Sequence, residues 1–210
     1  VLTSINTTMP GSLSAGGGED SYQANLLRGV TGPHTNTCEV AAFELLSPHT
    51  TVSPKTHEAH ECRQQVVARL SDSVHAGELA PGDRTRLLAS SSQALHAFCG
   101  DFEVPPTDIL RTRVCTANEL NRTLGRLSAA NRRTALVLDV GSSLHAVGVT
   151  AVHADFCGLT STWTPFSDGS LVHMDEIFPL LNQKPNVFTQ VASGASTVTN
   201  VISLPPEHMQ

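Results

Sequence analysis

The chain changes period once. As far as about residue 133 its apolar residues recur at helical spacing, and from "TALVLDV" (134–140) onward they alternate. Spacing of three and four buries one face of a helix, whereas strict alternation buries one face of a strand. Helices first and strands second, with no long helical run between the strands, predict an α+β domain with an antiparallel sheet. The 210 residues, 40% of them hydrophobic, suffice for one good core.

The helical part opens at "CEVAAFELL" (38–46), with Cys38 in the first turn. "SPKTHEAHECRQQVVARL" follows, with Ser53 as N-cap and Pro54 at the first helical position. Its Ala59, Cys62, Val66, Val67 and Leu70 fit one face. After the break "AGELAPGD", Leu87, Leu88, Leu95 and Phe98 keep helical spacing, and "GDFEVPPTD" reads as a loop. "TANELNRTLGRL" begins with a capping box, Thr116 to Glu119, and is expected to bury Ala117, Leu120, Leu124 and Leu127.

Among the strands, "HAVGVTAV" (145–152) and "LTSTWTPF" (159–166) flank the turn-like "HADFCG". "MDEIFPLL" is a short helix, and "VFTQV" with "STVTNVISL" would add a last hairpin. Residues 1–20 are polar and Gly-rich and are expected to form a flexible lead-in to a single domain over 21–210.

Charge narrows the functional classes. Only 15% of residues are charged and the net charge is −6, which argues against nucleic acid and against a polybasic membrane patch. No apolar run reaches the roughly 18 residues needed to span a bilayer. The first residues lack a basic stretch followed by an apolar one, so no classical signal peptide is expected in this chain. Five widely spaced cysteines, an odd number without a CxxC pair, read as free thiols in a reducing compartment.

Cys38 is the first candidate nucleophile. A thiolate is favoured by a helix N-terminus and by a neighbouring imidazolium. The polar stretch "GPHTNT" runs straight into the helix that Cys38 opens, and helix N–H groups there could face a developing oxyanion. His145 leads a central strand, from which its ring could reach a helix packed on the sheet. Each has an ordinary alternative, a small hydrophobe at a helix start and a hydrogen-bonded strand-end histidine. Cys62 and Cys99 fall on apolar helix faces, Cys157 in the hairpin turn, and Cys115, ahead of the capping box, is the runner-up nucleophile. His57, His60 and Cys62 cluster, but the spacing is not that of a zinc motif, and a solvated helix face is expected there. No cofactor is implied.

Cys at the start of an N-terminal helix, followed by "ALVLDV–GSSLHAVGVTAV–turn–strand–TPFSDG–MDEIF", resembles the papain-like cysteine peptidases and deamidases delivered by bacterial pathogens, of the YopT/AvrPphB type. The resemblance spans roughly 36 to 182 and rests on "LHAVGV" and the order of elements. It implies a papain-like fold and a cysteine hydrolase, either protease or glutamine deamidase. It further implies a monomeric protein secreted into the host cytosol and acting on a host protein. The site it implies is Cys38 as nucleophile and His145 as base. Asn36 would lie in the oxyanion hole, with His34 and the more distant Gln23 as other candidates.

The segment matching the family's "FDPN-G" strand end is "WTPFSDG", which puts Thr164 where the family has its Asp. No Asp, Asn, Glu or Gln lies between Asp155 and Asp168. Asp168 would therefore have to swing in as the third member. Otherwise a Cys–His dyad works alone, or the site is degenerate and the scaffold only binds protein. A rival pairing is His153 with Asp168.

Overall fold

The computed structural model describes residues 38–75, 80–139, 144–161, 170–181 and 200–208. The expected lead-in over 1–20, the hairpin strand "VFTQV", and Gln23, His34, Asn36, Thr164 and Asp168 lie outside those residues.

Among the described residues the helical half forms three helices, α1 (Cys38–Leu45), α2 (Pro54–His75) and α3 (Pro81–Asp101). Pro81 sits at the start of α3, where its missing N–H costs nothing and its fixed φ already suits a helix. This lengthens the helix by three residues over the expected start at Arg84. At the start of α2, the Ser53 N–H and hydroxyl both donate to Asp101 Oδ2, at 2.8 and 2.9 Å. The end of α3 is thereby tied to the beginning of α2. Helix α4 (Ala117–Ala129) starts at its expected N-cap Thr116, with the Glu119 carboxylate reaching one residue further back than in a regular capping box. Glu119 N donates to Thr116 Oγ1 at 3.1 Å, and Glu119 Oε2 accepts from Cys115 N at 2.7 Å.

Among the described residues six strands form one antiparallel sheet: β1 (Leu110–Thr112), β2 (Arg133–Asp139), β3 (Leu144–His153), β4 (Phe156–Thr160), β5 (Leu171–His173) and β6 (Val201–Leu204). Their order is β1-β6-β2-β3-β4-β5. The final strand thus inserts between β1 and β2, and all four of its residues are buried. The four-residue helix α5 (Met174–Ile177) follows β5 directly. The mixture of helices and antiparallel sheet agrees with the α+β expectation.

Alternation along the strands divides the core in two. Leu136, Leu138, Val147, Leu159 and Val201 face Leu120, Leu124 and Leu127 of α4, with Met174 and Ile177 of α5 beside them. Ala135, Ala146, Ile202 and Leu204 face Val40 and Phe43 of α1, Phe98 of α3 and Phe102 just past its end. Burying each such large side chain contributes about 1.5–3 kcal/mol before chain entropy is counted. The sheet therefore lies between two helical layers, whereas the sequence reading placed the N-terminal helices on the sheet without separating its faces.

Small residues bring α1 close. At Gly148 a Cβ would stand 2.9 Å from Thr160 Cγ2 and 3.0 Å from Leu46 Cγ, so any side chain there meets both β4 and the end of α1.

Several local expectations change. The turn after β3 is only Ala154–Asp155, with Ala154 at φ 50°, so β4 begins at Phe156 and Cys157 is a core residue. Cys62 is exposed, because α2 turns that side outward, while His57, expected on a solvated face, is buried. The edge strands β1 and β5 lay outside the sequence reading. Three residues are too few to show a period.

Candidate functional site

Cys38 is the first residue of α1, as expected, and is half-buried against the α1-facing core. Burial pushes its thiol pKa up; a backbone hydrogen bond from Ala146 opposes this, and the adjacent Glu39 carboxylate adds to the rise. The sheet explains why the Ala146 amide is available. Val137 N donates to Asn200 O at 3.0 Å on the β6 side. The Val137–Ala146 pair therefore exchanges no bonds across β2 and β3, and the Ala146 amide points toward the β4 side. Strand β4 ends at Thr160, opposite Gly148, before it reaches that level. The thiol takes the amide instead.

His145 precedes Ala146, so backbone connectivity brings the two candidate residues to one end of the sheet. Their side chains start on opposite faces of the sheet. His145 stands directly opposite Leu138, and cross-strand partners share a face, so His145 leaves the sheet on the α4 side. Cys38 packs with Ala146 and Ala135 on the α1 side. The His145 side chain therefore leaves the sheet on the face away from α1, the helix that carries Cys38, beside the residue whose amide the sulfur takes. One residue of alternation decides it.

The imidazole is 4% exposed and burial pushes its pKa down to about 4. Its Nε2 lies 2.7 Å from the hydroxyl of Ser161, itself 6% exposed. Sequence reasoning looked for the third group at Thr164 and Asp168 and passed over Ser161. A signal for it existed. Cys157, Leu159 and Ser161 alternate on one face, so Ser161 is the first polar residue on the His145 side of that strand.

The rival His153 is exposed at the far end of β3, eight residues from His145, or about 26 Å at the usual strand rise. Cys115 is exposed and its backbone N–H is committed to the capping box. Cys157 is fully buried and its thiol is pushed up to about 12, an inert core group.

A second polar group lies beside Cys38. Burial lowers the His60 pKa, opposed by the Glu39 carboxylate, and His60 Nδ1 lies 3.1 Å from Thr56 O. Burial likewise lowers the pKa of Arg63, again opposed by Glu39, and its Nε donates to Ser91 Oγ at 3.1 Å. Among the described residues no three His, Cys, Asp or Glu side chains are grouped to hold a metal ion. No helix among them is long and apolar enough to cross a membrane.

No known protein family, no curated protein and no solved structure matches this chain.

Proposed function

We propose that the chain is a protein-binding module on a papain-like plan, a bacterial effector that engages a protein of the host cytosol without hydrolysing it. The observation that carries this reading is the placement of Cys38 and His145 on opposite faces of one sheet. Thiol–imidazole catalysis needs the base within hydrogen-bond reach of the nucleophile. Here burial favours the neutral form of both groups. The binding partner and the host setting come from the resemblance stated above.

One observation favours the second reading, a cysteine protease or glutamine deamidase using Cys38, His145 and Asp168 with Asn36 in the oxyanion hole. Cys38 opens a helix and its sulfur takes the Ala146 amide, the position next to His145. Iodoacetamide labelling with peptide mapping at pH 6 separates the two. The binding reading expects Cys38 to be modified more slowly than Cys62 and Cys115, at a rate that His145→Ala leaves unchanged. If Cys38 is the fastest thiol and His145→Ala slows it at least tenfold, the hydrolase reading replaces it.

A further inference from the structure

We propose that Ser161 is the positioning residue for His145: its hydroxyl, 2.7 Å from Nε2, holds the ring between the start of β3 and the end of β4 on the sheet face away from Cys38. This goes beyond the binding-module reading, and the geometry that carries it does not depend on that reading.

The geometry follows from the strand register. Gly148 pairs with Thr160, so the next residue of β4's path, Ser161, comes level with Val147. Its side chain leaves by the face of Val147, two residues from His145 along β3. An imidazole nitrogen makes one hydrogen bond in the ring plane, as donor or as acceptor according to tautomer, and Ser161 fills that capacity at Nε2. A carboxylate at this position would attract an imidazolium. A hydroxyl serves either neutral tautomer and carries no charge to stabilise the protonated ring. With both side chains more than nine-tenths buried, the ring has little freedom to turn about this bond. Ser161 thus fixes where His145 points, while burial keeps the ring neutral.

The test is nitrogen-detected NMR of the His145 ring in the full chain, comparing wild type with Ser161→Ala, Ser161→Thr and Ser161→Asp. Ser161→Ala is smaller than the native residue and keeps the fold testable even where the larger substitutions do not. Its expected effect is a change in the Nε2 shift and in the tautomer ratio. Ser161→Thr, which keeps the hydroxyl, is expected to restore the wild-type spectrum, and Ser161→Asp to raise the ring's apparent pKa by roughly 1–3 units. The proposal is overturned if Ser161→Ala folds and leaves both ring nitrogens and the pKa as in wild type. Failure of the binding reading would show elsewhere, as fast alkylation of wild-type Cys38 dependent on His145.

Discussion

Nε2 of His145 and Oγ of Ser161 stand 2.7 Å apart, both residues almost closed to solvent. The contact links the start of β3 to the end of β4. It also places a titratable ring inside the core, where protonation must disturb packing. Stability and reactivity therefore carry the signature of this site before any partner is known.

The first prediction concerns pH. An unfolded histidine titrates near pH 6.5, whereas His145 in the fold is pushed down to about 4. Above pH 6.5 the ring is neutral in both states and its contribution is fully present. As pH falls from 6.5 toward 4 the unfolded chain binds the proton first, and about 3 kcal/mol of stability is lost. Urea unfolding at steps from pH 7 to 4 measures the slope. His145→Gln is expected to flatten it over that window, and an unchanged slope in the variant would assign the acid sensitivity to other groups.

Thiol accessibility gives the second. Cys62 and Cys115 are exposed, while Cys157 lies in the core with its thiol pushed up to about 12. A disulfide reagent at pH 7.5 is expected to react quickly with the two exposed thiols. Cys157 should react only in denaturant. Rapid native-state modification of Cys157 would contradict the placement of β4 in the core.

Gly148 offers a third test, on the approach of α1 to the sheet. Its missing Cβ would meet Thr160 Cγ2 at 2.9 Å and Leu46 Cγ at 3.0 Å. Gly148→Ala should destabilise by about 1–3 kcal/mol, the usual scale for overpacking. Adding Thr160→Ser removes the nearer methyl and should restore part of the loss. Denaturation midpoints of the single and double variants measure both effects, and full additivity would show that the two sites do not touch.

Arg133 supplies the fourth. It is 7% exposed, donates through Nε to Pro205 O and through NH1 to Ser47 Oγ, each at 2.8 Å, and lies over the Phe102 ring at 5.8 Å. One side chain thus joins β2, the chain after β6 and the loop after α1. Arg133→Met keeps most of the apolar contact and loses both hydrogen bonds, with an expected loss of about 2–4 kcal/mol. A change in melting of less than a degree would show that water replaces those bonds without cost.

The sequence by itself determined the change from helices to antiparallel strands, the Thr116–Glu119 cap and the position of Cys38 at the head of a helix. These are local. A cap needs residues three apart, and a period needs only its own segment. It also brought His145 to the start of a central strand. Strand ends, however, depend on the partner strand: the two-residue turn at Ala154–Asp155 moved β4 back by three residues and turned Cys157 from a turn residue into core.

What only the tertiary structure decided is which face each residue takes. His145 and Ala146 are neighbours in the chain, yet the pairing of Leu138 with His145 and Val137 with Ala146 sends their side chains to opposite helical layers. A strand's alternation separates two faces but does not say which helix will cover each one. That choice is made by packing between segments about a hundred residues apart. Small Ala135, Ala146 and Gly148 admit α1 on one side, and large Leu136, Leu138 and Val147 meet α4 on the other.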